Sequence, residues 1–514
     1  MRRASVRVVT LVASLAALVG CAAGSDSSDR LASTSAASTT SAEAALSAPG
    51  APAAMAQAAV APTFTPCPAA AAAPSGWQCG TFTVPLVEND PSRGTIDLEV
   101  RLRRATAQPS LGPLFINTGG PGLPTADVAT PVADAIPAAV RDRFDLVLMD
   151  PRGTLHSSAT NCPTSPPGIE AAYEPLPEAA DQAAVQTWLD KMSSANRACM
   201  AEIGTDLSQY GTWQTAADMD ALRQALGAPT MSFLGYSYGT RLGAVYAERY
   251  PDRVRAMVLD SAVNPSGGNA EFGAGKAIAF NEYFRLWEAY CNQPTKQSCG
   301  VAGGPLPLYD AALAVAPFTD PSGRRWDRVA VESLVFKVIS GSSTTSLDAL
   351  PAALQRYLTG DAAPLAALEP QTAVPGGPDT SDPLVSINCA DMSDRPDAAA
   401  LSNIVTQARD HNLRGSSVGG FFAAECAGWP VGAKPVDNVS ATTPNRIVVV
   451  GSQGDNYTAY RWSQQMAAAT GGALISWAGF GHGVSFLRGS ACVDNPVAAY
   501  LLDPSKVPAD GTIC

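Results

Sequence analysis

Three residue types that together perform nucleophilic acyl transfer stand in a suggestive order: Ser237 inside Gly235-Tyr236-Ser237-Tyr238-Gly239, then Asp455, then His482 near the C-terminus. A serine hydroxyl is a weak nucleophile at neutral pH and needs a base beside it. Two histidines follow Ser237. His411 lies in the polar stretch Arg409-Asp410-His411-Asn412, whereas His482 lies in Phe480-Gly481-His482-Gly483, just past the last apolar run. His482 is the expected base, and His156 precedes the serine. The acid that orients the base is expected after Ile447 to Val450, in Gly451-Ser452-Gln453-Gly454-Asp455, which selects Asp455. Its rival is Asp260, at the end of Ala256 to Leu259.

A tetrahedral intermediate also needs donors for its oxyanion. Tyr238 N–H, next to the nucleophile, is the first. The second is expected from Asn117-Thr118-Gly119-Gly120-Pro121-Gly122, where Pro121 has no N–H to give; Gly120 is preferred and Gly119 is the alternative. The pentapeptide alone says little, since with 44 Gly in 514 residues a chance match arises roughly once in a few such chains. Its setting says more. It follows an apolar run and precedes a helical pattern, and small flanking residues leave room for a strained turn that pushes the hydroxyl outward.

The elements that must position these groups are short apolar runs separated by helical stretches, the pattern of a mostly parallel sheet with helices on both faces. The runs are Ile96 to Leu102, Leu114 to Asn117, Phe144 to Met149, Met231 to Leu234, Ala256 to Leu259, Ile447 to Val450 and Leu474 to Trp477. A helix is expected with Thr215 as N-cap and Gly227 as its stop, and another from the elbow to Pro251. The sheet pattern then lapses until about Arg446. The expected organisation is a lipoprotein signal at 1–21, an Ala/Ser/Pro tether at 22–65, a first core part at 66–263, a helical cap at 264–443 and a second core part at 444–514.

The signal rests on Arg2, Arg3 and Arg7 before the uncharged run Val8 to Leu18, which ends in Leu18-Val19-Gly20-Cys21. This resembles a bacterial lipoprotein signal, with Cys21 as the lipid-modified N-terminus of an exported chain held at the outer face of the cell membrane. The tether's composition cannot bury enough apolar surface to offset chain entropy. Setting Cys21 aside leaves ten of the eleven cysteines, and an oxidising compartment favours pairing them. Neighbouring pairs are expected: Cys67 with Cys79, Cys162 with Cys199, Cys291 with Cys299, Cys389 with Cys426, and Cys492 with Cys514. A net charge of −12 argues against a nucleic-acid partner. Three scattered histidines and no Cys-x-x-Cys leave no metal expected, and no cofactor.

Together, Gly119-Gly120-Pro121-Gly122, Asp150-Pro151-Arg152-Gly153, the elbow Gly-Tyr-Ser-Tyr-Gly-Thr, Val258-Leu259-Asp260, Cys426-Ala427-Gly428-Trp429-Pro430 and Gly481-His482-Gly483 carry a resemblance. They resemble the α/β-hydrolase serine peptidases of the prolyl aminopeptidase and tripeptidyl aminopeptidase type. The resemblance implies an α/β-hydrolase fold with a large helical cap. It also implies a peptide substrate cut from its free N-terminus, with Asp391 or Glu425 in the cap receiving the substrate ammonium. The alternative reading is a carboxylesterase acting on envelope lipids or small esters, since one triad serves both chemistries.

Overall fold

The structure, a computed structural model, describes residues 61–68, 76–162, 176–177, 179–265, 267–301, 303–340, 344–368 and 381–514. The expected signal, Cys21 and nearly all of the tether lie outside these residues. Among the described residues twelve strands are present: β1 (Thr65–Pro66), β2 (Gln78–Val87), β3 (Asp90–Arg103), β4 (Pro113–Asn117), β5 (Asp145–Met149), β6 (Met231–Tyr236), β7 (Val254–Asp260), β8 (Phe318–Thr319), β9 (Arg325–Trp326), β10 (Val448–Gly454), β11 (Ala473–Phe480) and β12 (Thr512–Ile513). Ten of them form one sheet in the order β1-β2-β3-β5-β4-β6-β7-β10-β11-β12, and β8 pairs only with β9.

Every pairing from β5 through β4, β6, β7, β10 and β11 to β12 is parallel, whereas β1, β2 and β3 add an antiparallel edge. This is the α/β-hydrolase fold. Strands β4 and β6 are buried along their whole length, which explains their continuous apolar runs. Alternate side chains serve two cores. Phe115, Phe233, Met257 and Val449 pack with Met219, Leu242 and Trp462 on one face, while Leu114, Leu234, Val258 and Val450 pack with Ala133, Val493 and Tyr500 on the other.

Strand β2 escaped the sequence reading because only Phe82 and Val84 in it are buried, the exposed Thr81 and Thr83 alternate with them, and Pro85 interrupts the pattern. The helix expected to start after Thr215 begins earlier and spans Thr212–Ala225. Its first N–H groups are served from far away, because the Asp391 carboxylate accepts from Thr212 N at 2.7 Å. A cap borrowed across the fold leaves no local trace in the sequence.

Between β7 and β10 the chain forms eight α-helices among the described residues, from Asn269–Cys291 to Ser416–Ala424, with an apolar centre of their own around Phe284, Trp287, Tyr309 and Leu354. The Gln182–Ile203 helix, which precedes β6, joins this layer: Val185, Trp188 and Met192 pack on Leu401 and Val405. The helical layer therefore draws on two stretches of chain rather than the single insertion expected. All five expected disulfides are formed.

Candidate active site

Ser237 sits in the turn between β6 and the Tyr238–Arg249 helix with φ +55° and ψ −125°. Such a backbone costs a non-glycine residue about 1–3 kcal/mol and persists only where the surroundings impose it. Here they do. Gly235 and Gly239 face each other so closely that a Cβ on Gly235 would stand 2.5 Å from Gly239 O, and one on Gly239 would stand 2.5 Å from Asn117 O. The small flanking residues thus let strand, turn and helix converge beneath a partly exposed serine.

His482 lies in the turn after β11, and its Nδ1 is 3.0 Å from each oxygen of Asp455. With the Nδ1 proton directed at the carboxylate, Nε2 is left as the basic nitrogen. Asp455 is buried and also accepts from Tyr457 N (2.9 Å) and Thr458 N (2.8 Å). Burial works to raise its carboxyl, but the His482 ring and those N–H groups outweigh burial and hold it below the ordinary carboxylate value. Thr458 Oγ1 stands 3.4 Å from His482 Nδ1, and the Tyr457 ring lies 5.2 Å from the imidazole. The loop carrying His482 is tied to the elbow, because the Tyr236 hydroxyl, one residue before the nucleophile, donates to Ser485 O at 2.7 Å.

The glycine loop after β4 lies against the elbow: a Cβ on Gly119 would stand 2.6 Å from Ser237 Cβ and 3.1 Å from Tyr238 N. Gly119 N–H is already given to Asn117 Oδ1 at 3.0 Å, and Asn117 is itself fixed by Thr125 Oγ1 at 3.1 Å. Gly119 is thereby removed as a donor. Neither Gly120 N–H nor Tyr238 N–H has a partner among the described residues. Asn117 is an organiser that sequence reasoning missed; its place at the end of a buried strand was the available signal.

The two acids considered for the substrate ammonium differ sharply. Asp391 is fully buried, and its oxygens are taken by Thr212 N (2.7 Å), Thr212 Oγ1 (2.6 Å) and the Arg241 guanidinium (3.4 Å), so it caps a helix and leaves nothing for a ligand. Glu425 is equally buried, and Oε1 accepts from Asn388 Nδ2 at 3.0 Å, but Oε2 has no partner among the described residues. Burial pushes its carboxyl up to about 7 against the pull of the Lys276 ammonium. Lys276 donates to Tyr457 O at 2.9 Å and lies over the rings of Phe272, Phe280 and Phe422 at 5.1 to 5.4 Å. Burial pushes this ammonium down to about 8, with Glu425 opposing.

Asp260 makes no bond to His482; its carboxylate accepts from Val484 N and Ser485 N. His156 and His411 are exposed, the former 3.8 Å from Glu99 and the latter capping the Ala398–Asp410 helix. Arg152, of the Asp-Pro-Arg-Gly motif, forms a buried bidentate pair with Asp218 (2.7 and 2.8 Å) that fastens the end of β5 to the Thr212–Ala225 helix. The one cluster with metal-ligand atom types among the described residues is Cys162, Cys199 and Asp382, and its two sulfurs are joined in a disulfide. No helix among the described residues is long and apolar enough to cross a membrane.

Two family models match the chain, the alpha/beta hydrolase fold over residues 112–292 and the TAP-like protein over residues 418–514. Over 462 residues the chain is 30% identical to the serine protease Hip1 of Mycobacterium tuberculosis, spanning 86% of this chain and 88% of that protein. It is 28% identical over 464 residues to the tripeptidyl aminopeptidase of Streptomyces lividans, spanning 84% and 82%. It is also 30% identical over 453 residues to a protein of Mycobacterium tuberculosis named carboxylesterase B, spanning 84% and 85%.

Proposed function

The chain belongs to the α/β-hydrolase serine peptidases, and from that premise we propose that it releases short peptides from the free N-terminus of peptides or proteins through an acyl-enzyme on Ser237. His482 Nε2 takes the Ser237 proton as Oγ attacks the scissile carbonyl carbon, and the developing oxyanion is received by the N–H groups of Gly120 and Tyr238. The C–N bond then breaks as His482 returns the proton to the departing amine. Water, deprotonated by the same nitrogen, releases the acyl group, and Asp455 keeps the imidazole in the required tautomer throughout. The observation that carries this reading is the His482–Asp455 pair at 3.0 Å, on a loop tied to the residue preceding Ser237.

For the substrate ammonium we assign Glu425, supported by its unpartnered oxygen, against Asp391, whose oxygens are engaged. Tyr457 and Phe480 present exposed rings beside the His482 loop, and Leu487 adds apolar surface, which suits apolar substrate side chains. A panel of free and N-acetylated di- and tripeptide anilides, run beside p-nitrophenyl acyl esters, tests the reading. Free peptides should be cut and acetylated ones spared. Equal cleavage of both, with fast ester turnover, would transfer the site to the carboxylesterase reading that the third relative supports. Labelling by a fluorophosphonate probe should disappear in Ser237→Ala.

We further propose export and lipid modification at Cys21, on the strength of Leu18-Val19-Gly20-Cys21 after a short apolar run. Expressed in a bacterial host, Cys21→Ala should shift the protein from the membrane fraction to the medium.

A further inference from the structure

At the C-terminal end of β7, between β6 and β10, the dipeptide Asp260-Ser261 touches all three catalytic segments. Its main chain receives the elbow: Ser237 N donates to Asp260 O at 3.0 Å. Its side chains receive the base loop, because Val484 N (3.1 Å) and Ser485 N (2.6 Å) donate to the two Asp260 oxygens, and Gly483 N donates to Ser261 Oγ at 2.9 Å. The Ser261 hydroxyl passes its own proton to Asp260 Oδ1 at 3.1 Å. Its carbonyl receives the acid loop through Thr458 Oγ1 at 3.1 Å, and Thr458 N in turn donates to Asp455.

Three consecutive N–H groups after His482 are thus held by two adjacent side chains. Both residues are at most 1% exposed, so water cannot substitute for them. Ser261 adopts φ +56°, a conformation serine avoids, and it persists because bonds on both sides fix it.

We propose that Asp260 and Ser261 are positioning residues that set the base loop in register with the nucleophile and the acid. The carboxylate fits this task better than a neutral side chain. It is acceptor-only, and it faces two backbone donors and one hydroxyl donor. In Asp260→Asn one oxygen becomes an N–H donor, and either amide orientation turns it toward Val484 N or Ser485 N. Ser261→Ala removes the only acceptor of Gly483 N among the described residues.

The proposal rests on the triad reading above, and the test separates the two. Steady-state kinetics on a free tripeptide anilide, with fluorophosphonate labelling rates, would be measured for both variants well below their melting points, beside Ser237→Ala and Asp455→Asn. Asp260→Asn should lower kcat by about 10²-fold, the cost of roughly 1 Å of misplacement, and Ser261→Ala by about tenfold, with KM within about threefold in both. The low-field Nδ1 proton resonance of His482 should weaken in both, a signature that lost stability alone would not produce. Should Asp260→Asn fail to fold, Ser261→Ala decides alone. A folded variant with kcat within about twofold of the parent and an unchanged Nδ1 resonance overturns the proposal. So does Asp260→Asn falling as far as Ser237→Ala while Asp455→Asn stays active, because Asp260 would then be the triad acid. Activity surviving in Ser237→Ala would instead sink the triad reading.

Discussion

Gly119→Ala probes the glycine loop most directly, because two separate physical costs meet there. The first is conformational: Gly119 holds φ +101°, and an L side chain in such a backbone costs about 1–3 kcal/mol of stability. The second is steric and falls on the nucleophile. The new Cβ would stand 2.6 Å from Ser237 Cβ and 2.8 Å from Tyr236 O, whereas ordinary contact begins at 3.4 Å, so loop and elbow must part by about 0.8 Å. Misplacement on that scale costs about 10²-fold, and with a displaced oxyanion donor the loss should reach roughly 10²- to 10³-fold in kcat, about 3–4 kcal/mol on the barrier. Gly112→Ala is the control: its φ is +88°, but the nearest atom to a new Cβ is Thr230 O at 4.0 Å. Both variants should melt at lower temperature, and only Gly119→Ala should lose kcat in a stopped assay on a tripeptide anilide. If Gly119→Ala kept kcat within about threefold, or Gly112→Ala lost as much, the placement of the loop against the elbow would be refuted.

Other perturbations separate roles that share the cleft. Asp455→Asn preserves shape but reverses the tautomer preference of His482, and kcat should fall about 10⁴-fold with little change in melting temperature. Glu425→Gln should raise KM for peptides with a free N-terminus and leave ester turnover unchanged. It should also alter the pH dependence of stability. Burial lifts the Glu425 carboxyl to about 7 from its ordinary 4.5, so the folded state holds that proton more tightly. Its favourable contribution is therefore complete below about 4.5 and is lost as pH rises through about 7. Urea unfolding should find parent and variant alike at pH 4 and the variant more stable at pH 8; identical curves at both would contradict this. Asp218→Asn breaks the buried pair with Arg152, and about 3–5 kcal/mol of stability should go with it, read as a lower urea midpoint.

Much of this protein is written locally. The continuous apolar runs of β4, β6 and β7 could be read because strands buried on both faces have no polar alternation to preserve. The elbow was legible because a strained turn between such a strand and a helix demands Gly235 and Gly239. His482 stood out because the chemistry needs a base after Ser237 and only two histidines were available. The cysteine pairs followed from proximity along the chain.

What only the tertiary structure decided are the tasks of side chains whose partners lie far away in sequence. Asp391 had the composition of a ligand-binding acid, yet it caps a helix 179 residues earlier. Gly119 and Gly120 are the same residue type in the same turn, but Asn117 consumes one N–H and leaves the other free. Asp260 ended a strand just as a triad acid would, and its oxygens went to Val484 and Ser485 instead. A carboxylate's role is set by which donors the fold brings within about 3 Å of it, and that distance belongs to the closed chain, whereas the strained serine, its histidine and the sheet beneath them follow from short-range sequence.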